Sequence, residues 1–373
     1  MPKLSKSHIE KVLRYLSQLP SRLWHRFISY WHKNFWHKLI VVIVVFILLV
    51  IGTMYGIAQW YMSSVSNQPY VMGVTFDADY AESLGLNPQQ TMSALINNMH
   101  VKNFRLTSYW SDIEPTPGQY NFSQLDWEFA MINKVHGTVS LSIGLRQPRW
   151  PECHAPSWVN TGAAISQWQP ELEQFMTAVI NRYKNNPALI SYQVENEYFN
   201  KVFGTCTNYS RTRLVSEFNL VKTLDPDHAV IISRSNNDIG TPIGAPTPDE
   251  YGVSVYKRVW TPLFDRYAEY PFPAWYYAFL AGVQKIVNHK NMVIDEMQAE
   301  PWAPNGKTIP QISLAEQNKS LNTSRLAARF NYAKATGIRT VYFWGAEYWY
   351  YRLTIEHDPS VWSVAKQAFS QKY

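Results

Sequence analysis

The sequence predicts an α/β fold, a (β/α)8 TIM barrel preceded by one membrane-spanning helix. Three observations lead to it. Leu39 to Ala58 is a run of twenty uncharged, mostly apolar residues. From residue 70 onward, short β-rich runs alternate with helical segments, which argues for a parallel sheet with crossover helices. Acidic and aromatic residues gather just after the β-rich runs, where such a barrel carries its chemistry.

Residues 1–38 read as a basic cytoplasmic segment. Lys3, Lys6, Lys11, Arg14, Arg22, Arg26, Lys33 and Lys38 face only Glu10 there. The formal net charge of +6 is therefore concentrated ahead of the apolar run, and the remainder is close to neutral. That distribution excludes a nucleic-acid partner for the body of the protein, which has no basic excess to pair with phosphates. Residues 5–36 also mix Lys, Arg, Trp and Leu at roughly helical spacing, as a helix lying on an anionic membrane surface would.

Residues 39–58 are long enough to cross about 30 Å of hydrocarbon as a helix. A buried core helix is the plain alternative; the charge asymmetry favours the span, with the basic flank cytoplasmic and the rest extracytoplasmic. Trp36, Trp60 and Tyr61 stand where interfacial aromatics belong. Residues 59–69 turn polar and read as a tether, and 70–373 as the barrel domain.

Strands are expected at Tyr70–Phe76, Asn103–Thr107, Thr138–Gly144, Leu189–Val194, Ala229–Ser233, Gly252–Tyr256, Met292–Asp295 and Thr340–Trp344. Helices are expected at Pro88–Met99, Ser123–Val135, Pro170–Asn185, Arg211–Leu224, Ala274–Asn288, Leu314–Thr336 and Pro359–Ser370. Gly240–Asp249 reads as a long loop.

Arg105 and Trp110 lie at the second strand's end, Trp150 and Trp158 after the third, and Glu197 after the fourth. Tyr256 and Trp260 follow the sixth, Glu296 the seventh and Trp344 the eighth. A single Glu after a strand is ordinarily a solvated loop residue. Here two apolar strands run straight into acid clusters, Glu195-Asn196-Glu197 and Asp295-Glu296, and two carboxyls together at a strand end are costly to desolvate. Paired carboxyls with divergent pKa values are what glycosidic bond cleavage requires: one supplies a proton to the leaving oxygen, the other an anion to the oxocarbenium-like centre.

Asn196-Glu197 after a fourth strand, with a Glu ending the seventh, resembles clan A of the glycoside hydrolases, the retaining TIM-barrel group. Tyr109-Trp110-Ser111-Asp112-Ile113-Glu114-Pro115-Thr116-Pro117-Gly118 is similar to that clan's second βα loop. Gln193-Val194-Glu195-Asn196-Glu197-Tyr198 is similar to the acid/base motif of family 35 β-galactosidases. The segment from Asp295 to Trp302 departs from that family's nucleophile sequence, and Tyr198 stands where many clan members have Pro, so the resemblance carries the clan and not a family.

The resemblance implies Glu197 as general acid/base, Glu296 as nucleophile and Asn196 as a ligand of the sugar 2-hydroxyl. It places Arg105 as the arginine holding Glu296, Tyr256 as a second donor to that carboxylate, and Trp344 under the sugar ring. Glu300 is the rival nucleophile, though it lies farther from the apolar strand. Trp110 and Trp302 are expected to contact substrate. The same two carboxylates serve a retaining transglycosylase equally well, and a third reading is an inactive glycan-binding barrel.

Cys153 and Cys206 fall in loops on the catalytic face, where an oxidising compartment would favour a disulfide; two unrelated thiols are the alternative. No metal-ligand spacing and no nucleotide-binding glycine loop occurs, so neither a metal nor a cofactor is expected. The partners expected are a carbohydrate substrate and, through the N-terminal helix, a membrane.

Overall fold

The computed structural model describes residues 34–371, except 207, 239 and 241–243, together with Ser21, His25 and 28–31. Most of the basic segment, and part of the expected Gly240–Asp249 loop, lie outside the described residues. Two compact units divide between Gly56 and Ile57.

The eight-stranded parallel barrel is present. Its strands are β1 (Val71–Phe76), β2 (Asn103–Leu106), β3 (Thr138–Ile143), β4 (Leu189–Val194), β5 (Ala229–Arg234), β6 (Glu250–Val255), β9 (Asn291–Gln298) and β10 (Thr340–Trp344). They close in the order β1-β10-β9-β6-β5-β4-β3-β2. Between β6 and β9 an antiparallel hairpin, β7 (Arg258–Thr261) with β8 (Arg266–Glu269), stands outside the barrel. Val74, Phe104, Val139, Leu141, Val230, Val253, Ile294 and Val341 are fully buried. These residues share the strand face that the helices cover, whereas the alternating face turned into the barrel carries buried polar residues, among them Thr75, Arg105, Ser140, Ser191, Gln193, Ser233 and Ser254.

Three differences from the sequence-based expectation bear on the site. Strand β9 continues to Gln298, so Glu296 lies within a strand rather than after one. Pairing with β6 passes from Val253–Ile294 to Ser254–Glu296, leaving Asp295 as the extra residue of a bulge. The expected helix Leu314–Thr336 is two helices, Leu314–Ser320 and Thr323–Ala335. Leu321 is extended, and the Asn322 side chain accepts from Arg325 N, capping the second helix. An Asn cap competes with helix continuation at that point. The helix Ile165–Tyr183 begins a turn earlier than expected and carries Pro170 inside it, because Trp168, Leu172, Phe175, Met176 and Val179 bury one continuous face.

The apolar run forms the helix Phe35–Ser64, the one helix among the described residues long and apolar enough to cross a membrane. The expected tether from Gln59 is helical to Ser64. Tyr61, expected at an interface, is buried instead, as are Ala58 and Val65. Two glycines allow this: a Cβ on Gly282 would come within 2.7 Å of Ile57 Cγ2, and one on Gly337 within 2.7 Å of Met62 Cγ. Ala58, Tyr61 and Val65 thus belong to the barrel's core, because a polar-looking stretch can still bury the apolar face it turns inward.

Candidate active site

The peptide after β4 turns sharply. Glu195 (φ 57°) and Glu197 (φ 43°) both occupy the left-handed region, which disfavours side-chain-bearing residues. Glu195 pins the turn. It accepts from Leu145 N (2.7 Å) and Arg146 N (3.2 Å), and Arg213 grips it with both terminal nitrogens (3.0 and 3.1 Å). A Cβ on Gly144 would sit 2.6 Å from Glu195 Oε1, so glycine is required there. Glu197 N then donates to Ser233 Oγ (2.9 Å), and Asn200 Nδ2 donates to Glu197 Oε2 (3.0 Å).

Glu296 faces it across the barrel mouth, clamped by donors. Arg105 Nη1 donates to Oε1 (3.0 Å) and the Tyr256 hydroxyl to Oε2 (2.8 Å). Burial, with the Glu296 charge second, holds the Tyr256 phenol well above its usual range, so it remains a donor. Arg105 is itself completely buried and donates to Gln193 Oε1 (2.6 Å) and Asn196 Oδ1 (3.0 Å). Burial raises the Glu197 carboxyl above the ordinary carboxylate range, and the Glu296 charge raises it further. Glu296 thus sits against a guanidinium and a phenolic donor, whereas burial and that neighbouring charge make Glu197 proton-retaining.

Asn196 carries a partner the sequence did not disclose. Its Nδ2 donates to Glu152 Oε2 (3.1 Å), and Glu152 also pairs with Arg146 (3.4 Å). Burial lifts the Glu152 carboxyl well above its normal range. Cys153, next in the chain, is bonded to Cys206, with Cα atoms 5.3 Å apart. Arg146 ties the same two loops, donating to Asn196 O (2.6 Å) and Phe203 O (2.9 Å). We expect Cys153→Ser with Cys206→Ser to cost about 2–4 kcal/mol. Chemical denaturation of the double variant checks it, and an unchanged midpoint would refute it.

Trp110 does not reach the cleft. It is fully buried, its Nε1 donates to Glu114 Oε2 (2.7 Å), and its rings meet Trp158 and Phe175 at 5.7 and 5.8 Å. Glu114 also accepts from Gly118 N (2.7 Å), so the loop after β2 is stapled to itself and the indole fills core space. Glu300 belongs to a different cluster from Glu296. Trp344 Nε1 donates to its Oε1 (2.8 Å) and Arg149 pairs with it (3.2 Å). The Arg149 guanidinium lies 3.1 Å from the Tyr80 ring centroid and 4.2 Å from that of Trp344. It also lies within 3.6 Å of Asp77 and 3.8 Å of Glu347. Trp302 is half-buried and meets the Tyr256 ring edge-on at 5.7 Å.

Asp295 is buried with no hydrogen-bond partner on either oxygen, and burial pushes its carboxyl up to about 7. An unfolded Asp titrates near ~3.9. The folded chain therefore holds an extra proton between about 4 and 7, and stability falls as pH rises through that window. Asp295→Asn should gain stability relative to the wild type over the same window, with a plateau above it. Melting temperatures across pH check this, and a pH-independent difference would contradict it.

Signals for the missed residues were weak. Glu152 sits in an ordinary-looking loop, and only its position beside Cys153 hinted at the cleft. Arg149 is one of several basic residues with no local pattern.

Among the described residues no group of three or more His, Cys, Asp or Glu is arranged to hold a metal ion. No protein-family model matches the chain, and no curated protein sequence does. Among solved structures it is similar to a glycosylated family 10 endo-β-1,4-xylanase from Gloeophyllum trabeum, with 15% identity and a TM-score of 0.52 over 82% of this chain and 97% of that one. It is also similar to Xylanase10C from Cellvibrio japonicus in complex with xylopentaose, with 15% identity and a TM-score of 0.53 over 82% of this chain and 68% of that one. Endo-glycoceramidase II from Rhodococcus sp. matches at 13% identity and a TM-score of 0.45, covering 74% and 73%. At these identities the likeness is one of fold.

Proposed function

We propose that this chain is a membrane-anchored retaining glycoside hydrolase acting on an extracytoplasmic glycan. The observation that carries the reading is the opposition of two buried carboxyls in contrary environments, Glu197 with a raised pKa and Glu296 held by Arg105 and Tyr256. In this mechanism Glu296 attacks the anomeric carbon while Glu197 protonates the leaving oxygen. Water, deprotonated by Glu197, then releases the sugar from Glu296. Asn196 has spent one amide hydrogen on Glu152, and the other serves the 2-hydroxyl. Trp344, fixed through Glu300, offers its ring to the sugar.

The anchor is the helix Phe35–Ser64, whose residues from Ile40 to Ile51 are largely exposed apolar side chains. With the basic segment cytoplasmic, the barrel is extracytoplasmic. Protease added to intact cells should remove the barrel and spare the basic segment; the reverse pattern would overturn the topology.

The full chain in detergent should cleave at least one member of an aryl glycoside panel. Proton NMR of the first-formed product should show the starting anomeric configuration. Inverted product would refute the double displacement.

A further inference from the structure

The β7–β8 hairpin walls a cavity of about 680 Å³ against the segment 304–319. It is joined rigidly to the cleft. Gln298, at the end of β9, accepts from Lys257 N and Arg258 N (both 2.9 Å) and donates to Arg258 O (2.7 Å). Lys257 directly follows Tyr256, the donor to Glu296.

The lining combines aromatic rings with cations. Trp260 is fixed by its indole N–H, which donates to Asn305 Oδ1 (3.0 Å), and by the Tyr267 ring edge at 5.1 Å. Tyr267 is anchored in turn by its hydroxyl on Glu316 (2.9 Å). Two of the four cations in the lining are neutralised: Arg258 pairs with Glu269 (3.1 Å) and Lys319 with Glu316 (2.6 Å). The other two, Arg266 and Lys307, form no ion pair with a described carboxylate. Against them in the lining stand Asp265, which forms no ion pair, and Glu316, which also feels the Lys307 charge. The cleft itself has the opposite character, since Glu197, Glu296, Asp295 and Glu152 crowd its floor.

We propose that this pocket binds an anionic sugar of the glycan, carboxylated or sulfated, while a neutral sugar lies over the catalytic carboxyls. A fixed indole packs against the apolar face of a pyranose, and Arg266 and Lys307 meet its acid group. Glu296, which must be an anion to act as nucleophile in the proposed mechanism, repels the same group at the point of cleavage. The substrate class is then an acidic heteropolysaccharide. The passage of its chain through the cleft rests on the glycosidase reading; occupancy of the pocket does not.

The test is affinity electrophoresis of the full chain in detergent, in the Glu296→Gln form so that nothing is cleaved. The gels contain polygalacturonate, dextran sulfate or neutral dextran. Retardation by polygalacturonate identifies a carboxylate ligand and by dextran sulfate a sulfate ligand; neutral dextran should give none. The basic segment 1–38 attracts polyanions too, so the deciding variant is Trp260→Ala, which leaves net charge unchanged. It should weaken retardation about fivefold or more. Arg266→Glu with Lys307→Glu should weaken it further. Equal retardation in the wild-type pocket and in Trp260→Ala, or none by either polyanion, would overturn the proposal. An inactive wild type whose retardation still depends on Trp260 would overturn the glycosidase reading alone.

Discussion

Replacing Glu296 with Gln is expected to lower kcat by about 10⁴-fold or more, and Glu197→Gln by about 10²–10⁴-fold on unactivated substrates. The two losses should differ in kind. An aryl glycoside with an acidic leaving group needs no proton, so Glu197→Gln should retain much of the first step there. Glu296→Gln should not, because no leaving group replaces a nucleophile. The pH profile separates them further. Glu197 must enter the reaction protonated, and its pKa is raised by burial and by Glu296, so wild-type activity should fall as pH rises through that raised value. The descending limb should vanish in Glu197→Gln. Both changes are near-isosteric, so the fold should survive. Steady-state kinetics on leaving groups of graded acidity decide the matter. An active Glu296→Gln enzyme would remove Glu296 from the mechanism.

Arg105→Met is expected to cost about 3–5 kcal/mol of stability, because it strands a buried carboxylate. The side chain is completely buried and serves Gln193, Asn196, Glu296 and, at 3.4 Å, Thr75. Met matches its apolar stem but leaves every one of those acceptors short of a donor. Activity should fall with stability, since both Asn196 and Glu296 lose their fixed positions. Arg105→Lys keeps the charge but not the fork of donors, and should fall between the two. Urea unfolding and kcat/KM at a temperature where each variant is folded check the pair of effects. A Met variant within about 1 kcal/mol of wild type would show that the network reorganises around the loss.

What the sequence determined by itself is the barrel and the place of its acids. Leu189–Val194 and Thr340–Trp344 read as strands at their observed bounds, and so do the helices Pro88–Met99 and Arg211–Leu224. Such elements are legible because their signals, apolar periodicity and caps such as Asn87 and Ser210, lie within a few residues of one another. Glu197 and Glu296 stand out in the sequence for the same reason, each following an apolar run, although Glu296 lies within β9 and not after it.

The tertiary structure alone decided what surrounds them. Trp110 looked like a cleft residue and is core, because the indole N–H found Glu114 and the rings found Trp158 and Phe175. Glu152 met Asn196 across 44 positions, and Arg149 met Glu300 across 151. The bulge at Asp295 and the docking of residues 57–65 depend equally on distant partners. Local pattern records which face a residue prefers, whereas pairing between distant buried polar groups is chosen by desolvation. Each such group must find a donor or acceptor wherever packing happens to bring one, and one chain's pattern does not state where that will be.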